Sequence, residues 1–237
     1  MIGEGMRPSA KPPSTKAAAK PRRRASAAPA PRPYHHGDLR RVLIDAALQL
    51  VGEGGPDAVS VREAARRAGV SPGAPFRHFP NRAALMNAVA EEAQRRFRAE
   101  IEAVLAEAPT SDPLARFRCL GLAYLRWAMK NPTHFEIISS RRFFDHDMTA
   151  GVSQDNAELI DLTGRTLAEA FAQGQLRSSD LKQVQIAGRA LVYGFARMNI
   201  DGHFPRWGVA DAEIERTAEG ILDLLIEGIA KVPGKSP

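Results

Sequence analysis

The residues best suited to chemistry lie between positions 60 and 82, where basic side chains surround a group of small ones. The possible donors to phosphate oxygens are Arg62, Arg77, His78 and Arg82. The small residues among them are Pro72, Gly73 and Ala74. Small side chains allow a backbone to approach the groove of a double helix, and the flanking donors can hold the phosphates beside it. The pattern predicts a surface that binds double-stranded DNA.

Two short helices are predicted upstream of the small residues. Apolar residues on one helical stripe predict a first helix that ends at Gly52: Leu39, Val42, Leu43, Ala46, Ala47, Leu50 and Val51. Ser60 and Glu63 have the spacing of a capping box, which predicts a second helix over residues 61–68. Gly69 can adopt the left-handed conformation that ends a helix.

The third helix is the one expected to lie in the groove. Ser71 is predicted to cap it, with Pro72 at its first position, and it should run only to about Phe79. Asn81 should then cap a long helix that starts at Arg82. Together these elements predict a helix-turn-helix. The alternative is an ordinary helical turn with a solvated basic face.

The stretch reads SVREAARRAGVSPGAPFRHFPNRAAL, and residues 38–86 around it resemble the TetR family of one-component transcriptional regulators. Residues 131–208 are similar to a C-terminal domain type found in a subset of that family. The resemblance implies a homodimer whose N-terminal helices bind operator DNA. It also implies a larger helical domain that binds a small apolar effector and so releases the DNA, as in a repressor.

The resemblance also assigns DNA contacts by position. Residues matched to base contacts are Arg62, Pro72, Gly73 and Ala74, and residues matched to backbone contacts are Ser60, Ser71, His78 and Arg82. Phe76 replaces the usual tyrosine, so a hydroxyl that could bond a phosphate is absent. Pro75 removes the first amide hydrogen bond of the reading helix, which predicts a looser or tilted opening turn.

Composition predicts an all-α protein with a charged arm. The chain has 237 residues, 44% of them hydrophobic, and is rich in helix formers with few strand signals. The net charge is +6, but residues 1–36 hold eight Lys or Arg against Glu4 alone, and the rest holds 25 basic and 26 acidic residues. Residues 1–33 are therefore expected to form a disordered basic arm. Either the arm contacts DNA or it is a solvated extension without defined contacts.

The remaining chain is predicted to divide into a helix-turn-helix DNA-binding domain at residues 34–86 and a helical effector-binding and dimerisation domain at residues 87–237. An apolar stripe in the last helix indicates a dimer surface or internal packing: Ile214, Ala218, Ile221, Leu222, Leu225 and Ile229. Small residues in the preceding helix, Gly188 and Gly194 among them, would allow a neighbour to approach closely. Candidate effector-binding residues are Tyr124, Trp127, His134, Asn156 and Tyr193, each of which could instead fill the core.

Enzymatic function is not supported by the sequence. Asp145, His146 and Asp147 are consecutive and therefore poorly spaced for a metal site. Cys119 is the single cysteine, which fits a small apolar residue in a reducing cytoplasm better than a nucleophile. We expect no cofactor, no metal, no catalytic residue and no membrane segment. The main rival is an architectural DNA-binding protein without an effector, and a helical enzyme is the less favoured alternative.

Overall fold

The computed structural model describes residues 36–107, 111–139 and 150–231. Within these ranges the chain forms the α-helices α1 His36–Gly54, α2 Val61–Arg67, α3 Arg82–Glu107, α4 Pro113–Lys130, α5 Pro132–Ser139, α6 Ala150–Ala172, α7 Leu181–Ile200 and α8 Ile214–Ile229. The described ranges contain no β-strand, only an isolated bridge between Leu176 and Ala230. The predicted all-α class is confirmed.

Helices α1 and α2, a short 3₁₀ turn at Ala74–Arg77 and the start of α3 pack around one apolar core. Fully buried members of this core include Leu43, Ala47, Leu85 and Val89. The first helix is longer than predicted, because it continues past Gly52 to Gly54. The first core thus fixes the orientation of the segment between α2 and α3.

Side-chain caps define the helix starts in this unit. The Ser60 hydroxyl accepts a 3.0 Å hydrogen bond from the Glu63 amide, as the sequence predicts. The Glu63 carboxylate does not complete the capping box but accepts from Arg66 Nε at 2.9 Å. Asn81 Oδ1 accepts from the Ala84 amide at 2.8 Å and starts α3. These caps satisfy amides that a helix leaves without a partner.

Helix α3 is shared between the helix-turn-helix and the larger helical unit. It spans 26 residues, a length of about 39 Å, and the predicted domain boundary between residues 86 and 87 falls inside it. Its second half packs with α4–α8 around a core that includes Phe97, Leu125 and Phe135. The described residues all belong to one compact unit, His35–Pro237.

The stripe predicted as a dimer surface on α8 packs largely inside the chain. Ala218 and Leu222 are 1% and 2% exposed and belong to the core of the larger unit. Gly188 of α7 likewise lets Phe117 of α4, in the same chain, pack closely against the helix, because a Cβ there would lie 2.8 Å from Cζ of Phe117. Internal packing therefore accounts for Ala218 and Leu222, whereas the other four stripe residues are half-buried and their place in a dimer stays a prediction. The apolar residue that α8 does expose is Leu224.

Two parts of the sequence discussed above lie outside the described residues: the basic arm at 1–33 and the Asp145, His146 and Asp147 run. No described helix has the length and apolar character needed to cross a lipid bilayer.

Candidate functional site

The segment between α2 and α3 is exposed where the sequence predicts a groove-reading helix. Pro72 and Gly73 are exposed, and Phe76 is 41% exposed, whereas Pro75 is buried against the body of the unit. A Cβ atom built at Gly73 would meet no atom within 4 Å. The outer face of this segment is thus small and unobstructed.

The reading helix is shorter than predicted. In place of a helix over residues 72–79, the chain forms the 3₁₀ turn Ala74–Arg77. Pro75 cannot donate an amide hydrogen bond, and the flanking bonds span three residues, from Ala74 N to Ser71 O at 3.1 Å and from His78 N to Pro75 O at 2.9 Å. Ser71 therefore contributes its carbonyl here, and the predicted hydroxyl cap is wrong because Gly73 occupies the cap position.

Two arginines of this region, Arg77 in the turn and Arg62 in α2, keep their charge unneutralised. Arg62 and Arg77 are exposed, and within the described ranges neither pairs with a carboxylate. Their neighbours Arg66 and Arg67 are bound by Glu63 and Glu53. The hydrogen bond from Arg67 keeps the pKa of Glu53 below its ordinary value. The site therefore presents free cations next to small residues, an arrangement suited to phosphates beside a groove.

Arg82 is positioned by the protein itself. Its Nε donates to the Val59 carbonyl at 3.0 Å, and its Nη2 donates to the Pro56 carbonyl at 2.8 Å. Asp57 lies 3.6 Å from the same guanidinium. These contacts tie the start of α3 to the loop before α2. His78 is half-buried, and Ser60 is exposed with its oxygen accepting the Glu63 amide.

A cavity of about 500 Å³ lies in the larger unit between α3, α4, α5, α6, α7 and α8. Its walls are mostly apolar, with Phe97, Ile101 and Phe117 among the lining side chains. Its volume is in the range of pockets that hold small organic ligands. A helix-turn-helix and a ligand-sized cavity are therefore joined by one helix, α3.

Two of the five predicted effector-binding residues line the cavity: Tyr124 and Asn156. Burial raises the pKa of the Tyr124 phenol, an effect that the nearby Arg189 opposes. Trp127 packs behind the wall, with its ring 4.6 Å from that of Phe97.

The other two predicted residues also lie outside the lining. The ring of Tyr193 contacts Arg189 and Phe135. His134 lies at the junction of α3 and α5, with Nε2 3.4 Å from Arg96. Neither residue therefore borders the cavity: Tyr193 packs beside the lining residue Arg189, and His134 packs against Arg96 of α3.

Several lining residues were missed by the sequence reasoning: Gln94, Thr163, Lys182, Gln185 and Arg189. Gln94 had a usable signal, because it is a polar residue on the apolar face of α3 that carries Phe97 and Ile101. Lys182 and Arg189 had none, since exposed basic residues on a helix are usually solvated. Within the described ranges, no group of three His, Cys, Asp or Glu side chains could hold a metal ion.

Comparison with known families gives two matches. Residues 43–89 match the model of bacterial regulatory proteins of the tetR family. Residues 117–225 match the model of the tetracyclin repressor-like C-terminal domain. The first match covers the helix-turn-helix, and the second covers most of the cavity.

Comparison with single proteins gives similar matches. The chain is 29% identical over 137 residues to the HTH-type transcriptional repressor KstR of Rhodococcus jostii (strain RHA1), which covers 57% of this chain and 59% of that protein. A solved structure of a protein of unknown function from Rhodococcus sp. RHA1 is 31% identical, with a TM-score of 0.73, covering 85% of this chain and all (100%) of that one. The fold is also that of the TetR family transcriptional regulator PfmR from Thermus thermophilus, at 21% identity and a TM-score of 0.59, covering 78% of this chain and 97% of that one.

The two family matches follow one another along the chain, the first over the helix-turn-helix and the second over the helices that enclose the cavity. The chain belongs to the TetR family of bacterial regulatory proteins.

Proposed function

We propose that this protein is a homodimeric, sequence-specific DNA-binding repressor that acts in the cytoplasm and leaves its operator when a small, largely apolar molecule occupies the cavity. The observation that carries the proposal is the continuity of α3. One helix begins at the exposed reading turn and its second half forms a wall of a ligand-sized cavity.

The DNA contacts follow from exposure and charge. We infer that the exposed face of Pro72 and Gly73 approaches base edges, because small residues permit close approach to a groove; the predicted Ala74 is half-buried against the first core. Arg62 and Arg77 would then lie against phosphates, where their unneutralised charge is favourable. Arg82 would support DNA binding indirectly. Its guanidinium already donates to the Pro56 and Val59 carbonyls and so holds the start of α3 in place.

Release would follow from movement of α3. A ligand that contacts Gln94, Phe97 or Ile101 pushes on a helix whose start packs in the same core as the reading turn. A small tilt of that helix changes the separation of the two reading turns in a dimer. The effect on DNA affinity is limited by the ligand's difference in affinity between the two conformations.

The homodimer is supported by apolar surface on α7 and α8. Leu224 of α8 is 68% exposed and Tyr193 of α7 is 37% exposed in the single chain. At the glycines Gly194 and Gly220 on the same helices, a Cβ atom would meet no other atom within 4 Å, so a neighbour has room to pack there. A second copy placed against these helices would cover the apolar side chains, and a two-fold dimer would present two reading turns to paired half-sites.

Selection of bound sequences from random duplex DNA tests the proposal. The full chain should enrich an inverted repeat, and a matched Gly73→Leu variant should fail to enrich it. Enrichment of no motif, with equal retention of all duplexes, would contradict sequence-specific regulation and would favour an architectural DNA-binding protein.

A further inference from the structure

The charged side chains among the described residues that line the cavity are all basic. Lys182 and Arg189 line it, and none of its described lining residues is an aspartate or glutamate. The two cations are seven residues apart on α7, so they lie on one face of the helix, two turns or about 10 Å apart. Both side chains are exposed, which places them at the open side of the cavity.

Arg189 differs from most arginines of the larger unit. Carboxylates pair with Arg98, Arg116, Arg118, Arg126, Arg165 and Arg197. Arg189 pairs with none in the described ranges, and its guanidinium lies over the rings of Tyr124 and Tyr193 at 4.8 Å and 5.5 Å. Stacking on two rings and a hydrogen bond with the Tyr124 phenol hold the group in place, and its remaining donors are available for an anion.

A second polar group is at the buried side. Gln94 is 4% exposed and lines the cavity, and no hydrogen-bond partner for its amide lies within the described ranges. The amide is not among the fully enclosed polar groups that lack a partner, so it reaches the space inside the cavity and is accessible to a ligand group there. A ligand that bears a hydroxyl or carbonyl group at this end would pair with it.

We propose that the cavity selects an apolar molecule with an anionic group at one end and a hydrogen-bonding group at the other. Lys182 and Arg189 bind the anion at the open side, Gln94 binds the polar group at the buried side, and apolar residues such as Phe97 and Leu222 enclose the body. This inference rests on the proposed ligand-responsive function. It adds the chemical class of the ligand and places one contact on α3.

Headgroup selectivity is tested by calorimetric titration of the full chain without DNA. The probes are dodecanoate, dodecyl phosphate, dodecanol and dodecyltrimethylammonium below their micellar concentrations. We expect one or both anions to bind about tenfold or more tightly than dodecanol, and the cation to bind most weakly. The tighter anion identifies a carboxylate or a phosphate ligand. Equal affinity for dodecanol and both anions would overturn the proposal.

Variants assign the selectivity to residues. The Lys182→Met, Arg189→Met double variant should bind the anions no more tightly than dodecanol, with dodecanol binding retained. Arg206→Met is the matched control, because Arg206 is exposed and outside the cavity lining. Retained anion preference in the double variant, or its loss in the control alone, would overturn the assignment.

Gln94 is tested with dodecanoate and ω-hydroxydodecanoate. Wild-type protein should bind the two with similar affinity, whereas Gln94→Leu should bind the hydroxylated probe about tenfold more weakly than dodecanoate. An unchanged ratio in the variant would contradict the role of Gln94. These titrations contain no DNA, so a failure here leaves the proposed DNA specificity intact, and a failure of the duplex selection leaves the ligand class intact.

Discussion

Arg96 of α3 donates a 2.7 Å hydrogen bond to the carboxylate of Asp45 in α1. Glu92 accepts from the same guanidinium at 2.6 Å, and Nε2 of His134 in α5 lies 3.4 Å from it. Three helices therefore meet at one side chain, two residues after Gln94 of the cavity wall. This junction joins α1 of the helix-turn-helix to α3 and α5, both of which also contribute residues to the cavity lining.

The junction predicts a pH dependence of stability. Burial and the charge of Arg96 lower the pKa of His134 below its ordinary value of 6.5. As pH falls below that value, the unfolded chain takes up the proton first, so the free energy of unfolding decreases until the folded-state pKa is passed. Above the ordinary value the residue contributes no pH dependence. His134→Gln should therefore flatten the decrease in unfolding free energy just below about pH 6.5, measured by urea denaturation.

His203→Gln is the matched control for that measurement. His203 is exposed and lies outside the junction, so its variant should keep the wild-type pH dependence. An unchanged slope in His134→Gln would contradict the assignment of this titration to the junction.

Arg77 and Arg82 should differ in how their loss affects DNA binding. Arg77→Met should weaken binding to all duplexes and lower the salt dependence by about one phosphate contact per subunit. Arg82→Met should mainly lower the free energy of unfolding, by about 1 kcal/mol, because two backbone carbonyls lose their donor. Affinity across a salt series, paired with denaturation, separates the two. A stable Arg82→Met protein that loses a full phosphate contact would show that Arg82 binds DNA directly.

Replacing Gly73 should weaken DNA binding but leave folding almost unchanged. No atom lies within 4 Å of a Cβ built there, so Gly73→Leu should change the free energy of unfolding by only about 0.5 kcal/mol or less. The same side chain would lie between the reading turn and the groove floor, and affinity for the selected site should fall by about tenfold or more. Gly73→Ala should show a smaller loss. Wild-type affinity in the leucine variant would remove residue 73 from the DNA contact.

Neighbouring isoleucines of α5 should have different effects on stability. Ile137 is fully buried in the first core, whereas Ile138 is half-buried and lines the cavity. Ile137→Ala should lower the free energy of unfolding by about 2–5 kcal/mol, and Ile138→Ala should cost clearly less. Chemical denaturation of both variants measures this difference. A loss in Ile137→Ala no larger than that in Ile138→Ala would contradict the role given to Ile137 in the first core.

The exposed apolar surface of α8 should control assembly. Leu224→Glu places a charge where the proposed dimer buries an apolar side chain, so sedimentation should show monomers and DNA affinity should fall. Phe171→Glu, at an exposed apolar position on α6, is the control and should leave the dimer intact. A dimer that survives Leu224→Glu would place the interface elsewhere.

Local signals were predictable from the sequence because they act over a few residues. The predicted caps at Ser60 and Asn81 form, as does the left-handed Gly69, and they define the starts of α2 and α3 and the end of α2. The reading turn was the local exception. The sequence predicts that Pro75 removes one hydrogen bond. The structure shows a larger effect, a 3₁₀ turn in place of an α-helix, in which Pro75 is also buried.

Features that depend on tertiary packing were not predictable from the sequence. Periodicity identified an apolar face on α8 but could not say that the surface covering Leu222 belongs to the same chain. The cavity requires six helices to meet, so Arg189 and Lys182 gave no local signal, and Trp127 could fill space behind the wall as easily as line it. Among the lining residues that the sequence reasoning missed, Gln94 alone carries a local signal, as a polar residue on an apolar helix face, whereas Tyr124 and Asn156 were predicted.

The most direct test of the central claim is the ratio of affinities for the selected inverted repeat and for an unrelated duplex of equal length, measured at physiological salt. Sequence-specific regulation through the exposed turn predicts that the repeat binds about a thousandfold or more tightly. Equal affinities for the two duplexes would contradict it.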